Sequence, residues 1–296
     1  MGSSSSVSYS YVAILRCRAT PLSDWVCPEF SGKVVKGFIH SIPELGYVKN
    51  LYEMPSKPKP LSISPLMLEG KPLVGTRKTA VPRGSVLSFE IRVAVPSMDE
   101  VPLVTQQFDE EVVFGGTRFR VWLEEVEVVG REGIRLGLPR GYLARIRFVS
   151  PALLSSKLMA PPLDTFLKKV SRVRNYVLYP SMGHLFSYLA KLWNALFPDD
   201  PVSRKYTAEW SAYFVGRLAE VAIKVVDYSS KPMTVVYDAR RRPRGFVGWA
   251  LIEVPYLGKR VFEMFDKLLG LAKVMGVGKS RAIGFGYVTV DVVQKR

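Results

Sequence analysis

One of the chain's two histidines lies in a sequence pattern suited to acid–base chemistry. Residues 31–42 are predicted to form a helix that begins at Ser31 as its N-cap. At 100° per residue, an arc of about 140° holds the apolar residues Val34, Val35, Phe38, Ile39 and Ile42. His40 falls on the opposite side beside Lys33 and Lys36, whose charges are expected to lower the pKa of the imidazole. His40 is therefore predicted to be an exposed, neutral base that meets a phosphate; a solvated histidine without a role is the alternative.

A second pattern that could bind a ligand is the segment Gly276–Gly286, which has the sequence GVGKSRAIGFG. It is called the glycine segment below. It is not a P-loop, because Lys273 stands where that motif needs glycine and the segment leads from a predicted helix into a predicted strand. A helix C-cap at Gly276 explains one glycine but not four. The glycines Gly276, Gly278, Gly284 and Gly286, with Lys279, Ser280 and Arg281 between them, indicate a backbone that a phosphate chain approaches closely.

Basic residues are concentrated in the second half of the chain. Lys and Arg total 42 against 26 for Asp and Glu, which gives a net charge of +16. Residues 1–140 contain 17 basic and 15 acidic side chains, whereas residues 141–296 contain 25 and 11, a net +14. Two clusters stand out, Lys168–Arg174 and the run Arg240–Arg244 between two predicted strands. This asymmetry predicts a polyanionic partner, nucleic acid in preference to a membrane surface.

Composition narrows the class of protein further. No apolar run approaches the length of about 18 residues that a membrane span needs, so no membrane partner is predicted. Cys17 and Cys27, with only two histidines, cannot form a zinc site or a disulfide framework, so no metal or cofactor is predicted. Whether the two cysteines are bonded to each other stays open. The protein is predicted to be cytoplasmic, and its low content of Asn and Gln favours a thermophilic source.

The predicted elements follow one order twice. In the first half, strands are predicted at residues 7–19, 60–68, 85–95 and 117–129, with the helix at 31–42 after the first strand. In the second half, strands are predicted at 143–149, 221–228, 233–237, 245–254 and 284–293, and helices at 181–197, 206–218 and 259–275. This order predicts an α+β fold of tandem ferredoxin-like (RRM-like) βαββαβ domains, over residues 7–138 and 142–296.

Motifs across nearly the whole chain resemble a known family. The glycine segment follows a helix and has two glycine–hydrophobic–glycine triplets around a short basic spacer, then a strand. It is similar to the signature loop of the RAMP superfamily of CRISPR-associated proteins. Residues Lys59–Leu66, Arg147–Pro151 and Leu185–Asn194 agree with the same family. Within the superfamily, the likeness is to the endoribonucleases that cut precursor CRISPR RNA inside its repeats.

The resemblance implies a partner, CRISPR repeat RNA as precursor and mature crRNA, and a metal-independent reaction. A 2′-hydroxyl attacks its own 3′-phosphate and leaves a 2′,3′-cyclic phosphate and a free 5′-hydroxyl, which requires a base, an acid and a cation. Family members frequently have Tyr on the first helix, then His and Lys. Here His40 occupies the helix, Tyr52 follows, and Lys57 or Lys59 comes next. The resemblance therefore implies that His40 is a base or acid, Tyr52 its partner and a lysine the phosphate stabiliser.

The resemblance and the charge distribution together define the candidate RNA contacts. They are Lys33, Lys36, Lys49, Arg172, Arg174, Arg240, Arg241, Arg242, Arg244, Gly276, Gly278, Lys279, Ser280, Arg281, Gly284 and Gly286. The alternative function is that of a non-catalytic RAMP protein, which binds crRNA as part of a CRISPR effector complex. A homodimer is a further possible assembly.

Overall fold

The structure, a computed structural model, describes residues 7–55, 58–238 and 241–294. Two of the candidate residues, Lys57 and Arg240, lie outside these ranges. The described chain contains two units in which antiparallel sheets pack against helices. This architecture confirms the tandem ferredoxin-like fold predicted from the sequence.

The first domain is built on one large sheet. Its strands are β1 (Tyr11–Pro21), β2 (Trp25–Cys27), β3 (Leu61–Ile63), β4 (Met67–Leu68), β5 (Lys71–Pro72), β6 (Thr79–Val81), β7 (Leu87–Val95), β8 (Asp109–Phe114) and β9 (Thr117–Gly130). Its helices are α1 (Gly32–Ser41), α2 (Gly46–Glu53) and α3 (Val101–Val104). The sheet order is β5-β4-β7-β1-β9-β8, with β3 also paired to β7. Strands β4, β7, β1 and β9 therefore lie side by side as the second, third, first and fourth strands of a βαββαβ unit.

The second domain repeats this arrangement. Its strands are β10 (Leu143–Ala152), β11 (Leu154–Ser155), β12 (Tyr176–Val177), β13 (Lys224–Thr234), β14 (Arg244–Glu253) and β15 (Val288–Val293). Its helices are α4 (Asp164–Val170), α5 (Met182–Leu196), α6 (Ala208–Ala222) and α7 (Lys259–Met275). The main sheet has the order β13-β14-β10-β15, which again places the second, third, first and fourth strands side by side. A one-turn 3-10 helix, Arg281–Ile283, lies in the glycine segment before β15.

Helix α1 is amphipathic in the way its spacing predicts. Val34, Val35 and Phe38 are fully buried, whereas His40 is exposed. Ser31 is the N-cap residue of α1, as predicted, but its side chain makes no cap hydrogen bond. The Ser31 hydroxyl is buried and accepts a hydrogen bond of 2.9 Å from the backbone N–H of Leu66 instead. This hydrogen bond connects the start of α1 to the loop between β3 and β4.

Each domain contributes residues to the core of the other. Val12, Ile14 and Ala94 of the first domain pack in the hydrophobic core of the second. Ala282 of the glycine segment packs in the core of the first domain. The guanidinium of Arg92 lies 4.3 Å from the ring centroid of Tyr287, a cation–π contact between the domains. These contacts place the glycine segment against the first domain.

Several predicted elements differ from the structure. The predicted strand 60–68 is two short strands, β3 and β4, and the edge strand β8 was not predicted. In place of two strands at 221–228 and 233–237, one strand, β13, covers Lys224–Thr234 and runs through Pro232. Because β13 is at the edge of the sheet, a proline, which has no N–H to donate, is tolerated there. Helix α2, which carries Tyr52, was not predicted, because its eight residues are too few to show a clear period.

Several general features of the described residues bear on function. No helix among them is long and apolar enough to span a membrane. They contain no group of three or more His, Cys, Asp or Glu side chains arranged to hold a metal ion. Cys17 and Cys27 are free, buried thiols rather than a disulfide, and burial raises the pKa of Cys27 to about 12.

Candidate active site and nucleic-acid interface

His40 lies in the last turn of α1 with two lysines on the same side of the helix. Lys36 precedes it by one turn and Lys33 by two, since residues three or four apart share a helix face. At a rise of 1.5 Å per residue, this row of basic groups extends over about 10 Å. The row is long enough to contact more than one phosphate of an extended RNA strand.

The pKa of His40 is lowered from its ordinary value. Partial burial is the largest cause, the charges of Lys36 and Lys49 add to it, and Glu53 opposes it. Both lysines disfavour a second positive charge on the imidazole. His40 is therefore neutral at physiological pH and able to accept a proton.

Tyr52 comes from α2 and lies beside His40. The two ring centroids are 5.5 Å apart, and the Nζ atom of Lys36 lies 5.5 Å from the centroid of the Tyr52 ring. The Tyr52 hydroxyl, however, donates a hydrogen bond to the backbone carbonyl of Ala282. Burial and the neighbouring Tyr237 raise the pKa of Tyr52. Tyr52 is thus a protonated phenol. Its ring contacts His40, and its hydroxyl is hydrogen-bonded to the second domain.

Lys59 makes contacts that differ from the role implied by the resemblance. Its ammonium donates to the backbone carbonyl of Tyr52 at 2.7 Å and to that of Met54. These carbonyls belong to the last turn of α2, where a cation satisfies acceptors that lack helical partners. Lys59 therefore stabilises the end of α2. The lysines whose charges act on the His40 imidazole are Lys36 and Lys49.

The glycines of the glycine segment approach their own chain rather than an open surface. A Cβ at Gly286 would lie 1.7 Å from the carbonyl oxygen of Val277, and one at Gly278 would lie 2.9 Å from that of Leu153. Both residues have positive φ values, 64° and 78°, that glycine adopts without strain. Gly276 and Gly284 likewise face the backbones of Gly286 and Gly32. Close packing of the segment therefore accounts for these glycines by itself, and their contact with a phosphate stays a prediction.

Arg281 also lies in the protein interior and is only 3% exposed. Its guanidinium donates to the hydroxyl of Tyr188 at 2.7 Å and to the carbonyls of Met275 and Lys59 at 2.8 Å. Its predicted role in RNA contact is therefore replaced by a structural one. Lys279 and Ser280, in contrast, are exposed at the tip of the segment.

Next to this tip lies a groove with a volume of about 750 Å³, called the cationic groove below. Its basic and aromatic lining consists of Lys157, Arg174, Arg241, Arg242, Lys279, Tyr176 and Tyr237. Arg241 is paired with Asp238, but five basic side chains around one concave surface still give a net positive charge that attracts a phosphate backbone. Of the predicted contacts, Arg174, Arg241, Arg242, Lys279 and Ser280 line the groove, whereas Arg172 and Arg244 are exposed outside its lining.

Tyr237 connects the cationic groove to α1. Its ring lies between two cations, with Lys33 Nζ at 4.9 Å and Arg241 Cζ at 4.8 Å from the centroid. Basic groups therefore continue from the groove along α1 to His40. Sequence reasoning missed Tyr237, Tyr176 and Lys157 as groove residues. The available signal for Tyr237 was an aromatic residue close to an arginine run, a combination found in RNA-binding surfaces.

Comparisons with known proteins identify relatives of the whole chain. Residues 146–288 match the family profile of the CRISPR-associated endoribonuclease Cas6, and residues 14–129 match that of the Cas6 N-terminal domain. The CRISPR-associated endoribonuclease Cas6 1 of Saccharolobus solfataricus is 30% identical over 291 residues, with 93% of this chain and 94% of the relative covered. The Cas6 2 protein of the same organism is 30% identical over 285 residues, with coverage of 92% and 93%.

A solved structure extends the likeness to the fold. Thermus thermophilus Cas6 superposes with a TM-score of 0.59 at 18% identity, and the match covers 96% of this chain and 98% of the other. This similarity is in the fold, whereas the sequence matches identify the family. The two profile matches and the two relatives at 30% identity show that the chain belongs to the Cas6 family of CRISPR-associated endoribonucleases.

Proposed function

We propose that the protein cuts precursor CRISPR RNA within its repeats by metal-independent transphosphorylation, with His40 as the general base. The observation that carries this proposal is the position of His40, exposed on α1 with a lowered pKa and joined by a row of cations to the cationic groove. RNA held in the groove would follow the row of Lys33 and Lys36 toward the imidazole.

In the proposed reaction, neutral His40 takes the proton of a ribose 2′-hydroxyl. The 2′-oxygen then bonds to the adjacent phosphorus, and the bond from phosphorus to the 5′-oxygen breaks. The leaving 5′-oxygen takes a proton from water, which reaches the site because His40 is exposed. Lys36 and Lys49 stabilise the negative charge of the pentacoordinate phosphate. The products are a 2′,3′-cyclic phosphate and a 5′-hydroxyl.

Single-turnover cleavage of a repeat RNA in EDTA tests this proposal. We expect one cut with a cyclic-phosphate end, and we expect His40→Ala to reduce the rate by about 100-fold or more. His184→Ala is the matched control. His184 is half-buried and its Nδ1 lies 2.8 Å from the hydroxyl of Ser181, the N-cap of α5. Equal rates for wild type and His40→Ala would overturn the mechanism, and dependence on a divalent ion would overturn metal independence.

One observation favours a second candidate function, in which the protein binds crRNA without cutting it. The Tyr52 hydroxyl and the Lys59 ammonium, two of the groups implied as catalytic, both donate to backbone carbonyls. In this case repeat RNA would bind tightly but stay intact. Mature crRNA is a ligand under either function, and an effector complex or a second copy of the chain remains a predicted partner.

A further inference from the structure

A second cavity, with a volume of about 510 Å³, lies on the other side of the glycine segment's tip. We call it the interdomain cavity, because both domains line it. Pro58, Lys59 and Leu61 come from the first domain, and Leu158, Tyr188 and Ala282 come from the second. Its volume falls within the range of about 300–1,000 Å³ that is typical of sites for small organic groups.

The lining of the interdomain cavity is mostly carbon, with a few polar groups at its wall. Leu61 is fully buried and Leu158 is partly exposed, so apolar surface reaches from the interior to the opening. The Tyr188 hydroxyl accepts a hydrogen bond from Arg281 and keeps its own proton to donate. An apolar site with few convergent polar groups favours a flat, partly polar ring over an isolated phosphate.

Arg281 gives the interdomain cavity a positive potential. Arg281 lines the cavity, and its buried guanidinium donates hydrogen bonds to one hydroxyl and two carbonyl oxygens. No carboxylate among the described residues pairs with it. In a site of low polarity, an uncompensated positive charge attracts the electron-rich face or carbonyl edge of a ligand.

The interdomain cavity and the cationic groove are adjacent. Ser155, Lys279 and Ser280 line both, so the tip of the glycine segment separates the cavity from the groove; this shared wall is called the crest below. A strand whose phosphates lie in the groove therefore passes within one nucleotide of the cavity. Single-stranded nucleic acids are commonly held in this way, with cations along the backbone and bases inserted against planar or apolar side chains.

We propose that the interdomain cavity binds one nucleobase, turned out of the RNA strand that occupies the cationic groove. This inference rests on the proposed function, since it needs repeat RNA as the ligand. The cavity then determines part of the protein's preference for one RNA sequence over another, because only a base of suitable shape fits into it.

A cavity-filling variant combined with an abasic scan of the repeat RNA tests the proposal. We expect removal of one particular base to weaken binding to wild type by about tenfold. Leu158→Trp should weaken binding of intact RNA to a similar degree, and removal of the same base should then have no further effect. Leu103→Trp is the matched control, because Leu103 is 48% exposed and lines neither the cavity nor the groove.

Photocrosslinking to the wild-type protein gives a second readout that does not depend on a variant. A thio-base at the sensitive position should crosslink to the peptides that contain Leu158, Tyr188 or Ala282. The proposal is overturned if repeat RNA is bound but no abasic position is coupled to Leu158→Trp, or if the crosslinks fall on groove residues alone. A wild-type protein that does not bind repeat RNA would instead overturn the proposed function itself.

Discussion

The hydroxyl of Tyr52 donates a hydrogen bond to the backbone carbonyl of Ala282. Tyr52 belongs to α2 of the first domain, and Ala282 lies in the glycine segment of the second. The side chain next to His40 is thereby bonded across the domain interface. We predict that Tyr52 positions the site through this hydrogen bond rather than exchanging protons with RNA.

Tyr52→Phe separates these two roles. Loss of the hydroxyl leaves the Ala282 carbonyl without its donor, which should lower the free energy of unfolding by about 1–3 kcal/mol. The rate of single-turnover cleavage should stay within about threefold of wild type, because the ring beside His40 is retained. Urea unfolding and a cleavage time course measure the two effects. A loss of rate by about 100-fold with unchanged stability would instead identify the hydroxyl as a proton donor or acceptor.

Cleavage should rise with pH and then level off. The base form of His40 is required, so the rate increases as the imidazole loses its proton and is constant above its pKa. The midpoint should lie below the ordinary histidine value of about 6.5, because burial and two lysines lower this pKa. Lys36→Ala should move the midpoint up by removing a positive charge, and Glu53→Gln should move it down. Lys273→Ala, on the exposed face of α7, is the control. A midpoint that none of these variants moves would contradict the assignment of His40 as the base.

Substitution of Arg281 is expected to lower the stability of the fold. Arg281→Ala leaves the Tyr188 hydroxyl and the carbonyls of Met275 and Lys59 without their donor, and should lower the free energy of unfolding by about 3 kcal/mol or more. Lys279→Ala, at the exposed tip of the same segment, should change it by less than about 0.5 kcal/mol. Chemical unfolding of both variants measures the difference. Equal stabilities would show that the buried guanidinium does not hold the segment in place.

The cationic groove predicts how RNA binding depends on salt. Each phosphate contact that is removed should reduce the slope of log K against log salt concentration by about 0.7 for a single strand. Arg174→Ala and Arg242→Ala should each show this reduction, since both side chains line the groove. Arg260→Ala, an exposed arginine of α7 outside the groove, should leave the slope unchanged. Filter binding over a range of salt concentrations measures the slopes. An equal change for all three variants would mean that the attraction is diffuse rather than located in the groove.

Local sequence patterns determined the parts of the site that depend on one element. The apolar period of α1 placed His40 on the exposed face with Lys33 and Lys36, because a helix face depends only on spacing. The charge difference between the two halves predicted a polyanionic partner. The order of strands and helices predicted two βαββαβ units, which the two sheet orders confirm.

Only the tertiary structure decided what the remaining candidates contact. Tyr52 and Ala282 are 230 positions apart in the chain, and Lys59 and Arg281 are 222 apart. No local period encodes such pairings, since they arise only where the two domains pack together. The cationic groove likewise combines side chains from residues 153–157, 171–176, 237 and 241–243 with the glycine segment. The sequence by itself determined the exposed position of His40 and the excess of positive charge in the second half of the chain. Packing of the two domains decided which partners Tyr52, Lys59 and Arg281 have within the protein, because buried polar groups need hydrogen-bond partners.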